Sequence, residues 1–415
     1  MSFKEKQILY LLAIVNFLNI TDFMIMMPMG PKLMRIFEIS TQQFGVLVTS
    51  YAISAGASGF LVSFFIDQFD RKRSLILSFT GLLVGTWICA LAPSFAILMG
   101  GRIIAGIFGG IIGSQVLSIV GDAFKPEVRG YATGVVMAGF SLASVIGVPL
   151  GILLSNLFNW HAPFLFVVGA GLIVLIFLVR VLPAFNTHMA KVGEIDRLKI
   201  IKLLVHDDTS RLALFFGFVL IMGHFSIIPF LAAYMVSNVG FSENELTYIY
   251  AIGGALTLFT SPMVGKLSDR FGSLKVFVIA ILISALPVIA ITHMPQVHIA
   301  IALVFTSMFF VIAGGRFIPS QAMVLSVVQP KNRGGFMSFN SSMQQIAAGI
   351  GSYMAGVIVF TDSNGLLQGY NYVGYISVLL SLSCIFLAIR LQKKVIRNTT
   401  AQEIIPEAAL QSLVE

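Results

Sequence analysis

The chain has 415 residues, of which 57% are hydrophobic and only 11% charged, and its mean hydropathy is +0.93. Water-soluble domains carry about a quarter of their residues as charges, so this composition excludes a soluble enzyme and points to a polytopic membrane protein. The net charge of +8 does not indicate a nucleic-acid partner, because no basic run is longer than Arg71-Lys72-Arg73.

Crossing a hydrocarbon core of about 30 Å takes about 20 apolar residues as helix. Reading apolar runs between charges and Pro, Gly or Asn breaks predicts spans at 8–30, 44–66, 74–92, 95–120, 131–153 and 162–182. A second set follows at 211–236, 245–265, 275–293, 297–327, 336–360 and 371–390. The first run is too long for the apolar core of a cleaved signal and reads as a retained span. The expected fold is all-α, with twelve membrane helices in two six-helix bundles, residues 1–182 and 211–391. A cytoplasmic linker at 183–210, with an amphipathic stretch near 195–205, separates the bundles, and a tail follows at 392–415.

Placing the N-terminus in the cytoplasm puts 22 of the 26 Lys and Arg residues on the inner side. Lys32 and Arg35 fall outside, and Arg102 and Arg316 fall within spans. This asymmetry predicts that both termini are cytoplasmic, in a plasma or inner membrane whose anionic headgroups the basic loops meet. Cys89 and Cys384 sit in apolar runs without metal-ligand spacing, so no metal and no cofactor is expected.

Short segments recur between the halves. Asp67-Gln68-Phe69-Asp70-Arg71 matches Asp269-Arg270-Phe271-Gly272, and Pro126-Glu127-Val128-Arg129-Gly130 matches Pro330-Lys331-Asn332-Arg333-Gly334, at offsets of 202 and 204 residues. Two matches at nearly one offset indicate a duplicated six-helix unit, an arrangement that places a solute site between the halves. Gly265-Lys266-Leu267-Ser268-Asp269-Arg270-Phe271-Gly272 resembles the loop motif after the second helix of each half in the major facilitator superfamily. The first-half copy departs from it: Ser63 and Asp70 stand where glycines are usual, and Gln68 where a base is usual. Gly101-Arg102-Ile103-Ile104-Ala105-Gly106 resembles that family's fourth-helix motif. Gly139, Gly147, Pro149 and Gly151 resemble its fifth-helix exporter motif. With Thr21-Asp22-Phe23-Met24-Ile25-Met26, the chain is most similar to the drug:proton antiporter and arabinose-efflux-like branch. The resemblance implies a transporter working by alternating access.

Asp22 is the carboxylate placed well inside a span, where a charge costs about 2.5–3.5 kcal/mol on insertion scales and marks function by default. Asn16, Asn19, Asp22 or Phe23, and Met26 recur at helical spacing, so this stripe is expected to face a central cavity; packing glue is the alternative. Arg102 lies within about one helical turn of the same depth. Burial and a guanidinium act on a carboxyl in opposite senses, so approach and separation of Arg102 switches proton affinity; a permanent ion pair is the competing reading. His224 is a candidate proton relay or a neutral hydrogen-bonded side chain. Arg316, with Asn340 and Gln344, completes the expected cavity lining, and with Asp22 protonated the two arginines favour an anionic, zwitterionic or polyhydroxyl solute over a lipophilic cation.

Gly139, Gly147 and Gly151 permit close helix approach, and Pro149 removes a backbone donor and bends the fifth helix. Together they are expected to form a tight rocking contact. Asp67, Arg71, Lys72, Arg73, Asp269 and Arg270 are expected to gate the cytoplasmic side. These residues predict a monomeric, proton-coupled exporter of a small molecule. A symporter or facilitator importing a sugar or organic acid is the alternative. No nucleophile constellation, phosphate loop or catalytic carboxylate pair supports an enzyme.

Overall fold

The computed structural model describes residues 1–62, 69–183, 207–328 and 333–403. The first half comprises α1 (Phe3–Ile25), a short α2 (Gly30–Ile36), α3 (Thr41–Val62), α4 (Arg71–Ala90) and α5 (Phe95–Ala123). It ends with α6 (Pro126–Leu142), a π-helical turn (Ala143–Gly147), α7 (Val148–Leu157) and α8 (Ala162–Val181). The second half comprises α9 (Asp208–Tyr234) with its own π turn (Met235–Val239), α10 (Leu246–Phe271), α11 (Ser273–Thr292), α12 (Ile299–Ser326), α13 (Arg333–Ile358) and α14 (Tyr370–Glu403). Because α6 and α7 form one bent span, the chain crosses twelve times, six in each half. The amphipathic stretch expected near 195–205 lies outside the described residues.

Several predicted boundaries shift for local reasons. The first span stops at Ile25 because Pro28 and Pro31 follow within six residues, and the chain turns into α2 with Pro31 near its start. The fifth span begins near Pro126 rather than at 131, since proline suits the first helical turn. The π turn accommodates the missing amide of Pro149, two residues beyond its end. A two-stranded hairpin, β1 (Phe360–Thr361) and β2 (Leu367–Gln368), joins α13 to α14.

The two halves of the repeat turn differently after their second span. Gly272 links α10 to α11 at φ +87°, a conformation that excludes ordinary side chains. Asp70, at the equivalent place, has φ −59° and caps α4, accepting from the Arg73 amide at 2.8 Å. That geometry removes the need for glycine in the first copy.

Ten of these helices are apolar enough on composition to cross a membrane; α10 and α13 fall short. Both pack against the opposite half. Along α13, Gly356 meets Gly45 of α3, Gly349 accepts from Thr49 Oγ1 at 2.9 Å, and Phe339 meets Phe60 at 5.4 Å between ring centroids. On α10, Gly254 abuts Ser144 and Val145 at the π turn. Helices turned toward another helix bundle carry polar and small residues where lipid-facing ones carry apolar bulk.

The two ends of the molecule differ. At the end away from the chain termini, here the distal end, one hydrophobic core draws on both halves: Met26, Leu33, Phe44 and Phe164 pack with Phe230, Leu231, Tyr250 and Tyr370. At the terminal end the cores are separate. One contains only first-half residues such as Leu12, Phe79 and Ile119, and the other only second-half residues such as Phe216, Phe277 and Phe336. Gly130 and Gly134 on α6 and Gly265 on α10 face open space there. The halves share one core distally and keep separate cores at the terminal end, where α3 and α13 still touch at Gly59 and Phe60.

Candidate functional site

Each half buries one arginine-centred cluster. In the first half, Asp22 of α1 is 0% exposed and Arg102 of α5 is 1% exposed. Arg102 Nη1 donates to Asp22 Oδ2 and to the Asp22 carbonyl, both at 3.0 Å. Thr86 Oγ1 of α4 donates to Asp22 Oδ1 at 2.9 Å. The Tyr51 ring of α3 lies 4.3 Å from the guanidinium carbon, and its hydroxyl donates to Asn19 Oδ1 at 3.3 Å. Asn19 Nδ2 in turn donates to the Gly109 carbonyl. A side chain on Gly109 would collide with the Tyr51 hydroxyl, so glycine is what lets the network close.

The expectation that Asn16, Asp22, Arg102 and Met26 line an open cavity is corrected. Asn16 donates to the Val136 carbonyl of α6 at 2.9 Å, Asp22 and Arg102 point into the first half, and Met26 is in the distal core. Burying the pair costs solvation, and Thr86, the Asp22 carbonyl and the Tyr51 ring supply contacts that offset that cost inside the four packed helices. Asn19 is partly exposed.

In the second half, Arg316 of α12 is 2% exposed. Its Nη1 donates to Ser381 Oγ of α14 at 3.1 Å, and its Nη2 lies 2.9 Å from His224 Nδ1 of α9. Guanidinium groups only donate, so His224 Nδ1 accepts and its proton is on Nε2 in a neutral ring. Phe309 stacks on that ring at 5.4 Å. His224 stands 202 residues after Asp22, the offset of the loop motif: the duplicated unit carries an acid in one copy and an imidazole in the other. Asn340 and Gln344 of α13 flank Gly217 of α9.

Aromatic rings connect the clusters across the midline. Tyr51 meets Phe23 at 5.1 Å, Phe23 meets Phe225 of the other half at 5.8 Å, and Phe225 meets His224 at 5.5 Å. Tyr51, Thr86, Ser381 and Phe225 were not singled out in the sequence. Hydroxyl and aromatic residues are too common in membrane spans to signal a role, whereas the 202-residue offset of His224 was readable.

The residues expected to gate the cytoplasmic side belong to the loops and helix ends at the terminal end. Asp67 lies outside the described residues. Arg71 Nε pairs with Asp122 at 3.2 Å, Lys72 Nζ donates to the Val179 carbonyl, and Arg73 is exposed; both contacts stay within the first half. Asp269 is exposed without an ion pair among the described residues, and Arg270 lies over its neighbour Phe271. The Gly139, Gly147 and Gly151 stripe is also corrected: it receives Asn16, Thr21 and Ile25 of α1, so it fastens two helices of one half rather than forming the moving contact. The close approach between halves uses Gly45, Gly56 and Gly59 against α13.

Among the described residues, the ion pairs that join the halves are both distal. Glu243, in the loop before α10, pairs with Lys32 at 3.3 Å and Arg35 at 2.6 Å of α2. Lys32 Nζ also donates to the Ser155 carbonyl, Ser155 Oγ and Asn156 Oδ1 at 2.8–3.1 Å.

A family model described as Major Facilitator Superfamily matches residues 12–207 and 213–412. The chain is 23% identical over 371 residues to the uncharacterized MFS-type transporter YceJ of Bacillus subtilis (strain 168), covering 89% of this chain and 93% of that one. Among solved structures, a bacterial homolog of the human lysosomal transporter Spinster, in an inward-facing and unoccupied conformation, superposes with a TM-score of 0.77 at 17% identity, covering 96% of this chain and 98% of that one. A D-xylose-proton symporter superposes with a TM-score of 0.75 at 15% identity, covering 91% and 96%. At these identities the likeness to solved structures is one of fold.

Proposed function

The chain belongs to the Major Facilitator Superfamily and is a membrane transporter rather than an enzyme; from that premise we propose that it moves a small molecule by proton-coupled alternating access, most simply as an exporter of the drug:proton antiporter type. The observation that carries this reading is Asp22, the one fully buried carboxylate among the described residues, held by a single guanidinium. A carboxylate in that setting changes its proton affinity with the distance of Arg102, and four helices of one half meet at the pair. Shifts of those helices relative to one another during the cycle are therefore linked to proton uptake and release.

The excess of basic residues at the terminal end supports a cytoplasmic placement of both termini. On that placement the end with separate cores faces inward and the distal core with Glu243 is the closed outer gate. Asp269 and Arg270, with the matching first-half loop, form the inner gate when the terminal end closes. Export is favoured by the Gly/Pro pattern of the fifth span. Proton-coupled import of a sugar or organic acid is the second reading, and the fold alone does not decide between them.

The test is solute flux in proteoliposomes with and without an imposed pH gradient. Asp22→Asn keeps an acceptor for Arg102 and Thr86 but carries no proton, so binding persists while uphill transport disappears. If Asp22→Asn still accumulates solute in response to the gradient, coupling lies elsewhere, and His224 is the next residue to exchange.

A further inference from the structure

The charges of the first-half cluster cancel, but those of the second do not. Arg316 is buried against a serine hydroxyl and a neutral imidazole, and no carboxylate accompanies it among the described residues. Two of its five N–H groups are used, which leaves three without a partner among the described residues. A guanidinium withdrawn from water without an anion is costly to keep. Nearby, Asn340 Oδ1 and Gln344 Nε2 are buried without a hydrogen-bond partner, and Asn340 is only 1% exposed. Both lie against Gly217, seven residues before His224 on α9. Two helical turns separate those positions by about 10 Å on one face of the helix. That face therefore presents a fixed cation beside His224 and an uncommitted acceptor and donor two helical turns away beside Gly217; His224 and Gln344 are partly exposed, and Arg316 and Asn340 are buried.

We propose that this face of the second half is the solute site, and that the solute is a small organic carboxylate. Its anionic end is neutralised by Arg316, and its hydroxyl- or amide-bearing body is bound by Asn340 and Gln344. Gly217 leaves room beside these two side chains. His224 accepts from Arg316 and turns the guanidinium, so it is a positioning residue in this assignment. The inference deepens the transport reading above and rests on it for the meaning of the site; it locates solute in the second half and the exchanged proton in the first.

The experiment measures binding without any gradient, so it stands apart from the flux test of proton coupling. Purified full-length protein is melted in detergent with a panel of carboxylates, namely lactate, gluconate, quinate, benzoate and salicylate, each beside its uncharged amide. The expected result is a rise in melting temperature with at least one carboxylate, at least tenfold weaker with its amide and absent in Arg316→Gln. Asn340→Ala should weaken the same ligand while retaining its preference over the amide. Arg316→Met, which removes an uncompensated charge, should melt no lower than wild type without ligand. Equal stabilisation by the amide, stabilisation that survives Arg316→Gln, or no stabilisation by any carboxylate of the panel would overturn the assignment. A ligand-free Arg316→Met that melts well below wild type would overturn it too, by making the arginine structural.

Discussion

Glu243→Gln isolates the distal contact between the halves. Glutamine keeps the shape of the side chain but removes the charge facing Lys32 at 3.3 Å and Arg35 at 2.6 Å. Lys32 is not orphaned by the change, because Ser155 and Asn156 still offer it three oxygens. The loss is therefore that of the pairing alone. At 3.3 Å and an effective dielectric of about 20, the gross attraction to Lys32 is about 5 kcal/mol. Desolvation and screening remove most of it, since Glu243 is 24% and Lys32 17% exposed. The Arg35 pair, with that arginine 65% exposed, adds about 0.5 kcal/mol at most. A net of about 1–2 kcal/mol corresponds to a shift of about 5- to 30-fold toward the distally open state. Double electron–electron resonance between spin labels at Phe158→Cys and Tyr248→Cys, both exposed near the distal end, reads that population; Cys89 and Cys384 are buried. Raising ionic strength should move wild type in the same direction as Glu243→Gln. An unchanged distance distribution would refute the reasoning. So would a Glu243→Gln shift that persists at full size when Lys32 is already Gln, since coupled partners cannot be additive.

Two further outcomes follow from the same architecture. A cysteine at Ser363, in the β1–β2 turn, should react with an impermeant maleimide applied outside intact cells, and one at Lys393, near the end of α14, should not; the reverse pattern would overturn the orientation taken from the basic residues. If Asp269 anchors the inner gate, Asp269→Asn should enlarge the population parted at the terminal end and slow transport, with solute affinity within a few-fold of wild type; loss of binding with unchanged interhelical distances would show that its role was misassigned.

Composition and periodicity made most of the architecture legible. Twelve apolar runs, the loop repeat and the resemblance at Gly265 to Gly272 lead to two six-helix halves. Matching depths in two spans were enough to set Asp22 beside Arg102, because rise per residue is constant along a helix. The fall of α10 and α13 below the apolarity of the other spans was also a sequence signal. It marked two of the helices turned toward the opposite half, though not α3.

What the sequence by itself determined is which segments enter the membrane and at what depth each charge sits, since the bilayer acts on every helix separately. Which way each side chain turns was decided by the tertiary structure. Asn16 and Asp22 could face a cavity or a neighbouring helix with equal periodicity, and they turn inward because α4, α5 and α6 offer Thr86, Arg102 and the Val136 carbonyl. The Gly139, Gly147 and Gly151 stripe was legible as a close contact, but its partner was not. The stripe received α1, while Gly45, Gly56 and Gly59 met α13. Glu243 was one loop acid among several until folding set it opposite Lys32 and Arg35, 208 residues from the latter. Contacts between halves join residues far apart in the chain, and no local pattern encodes them. They arise only once two separately packed bundles close on one another.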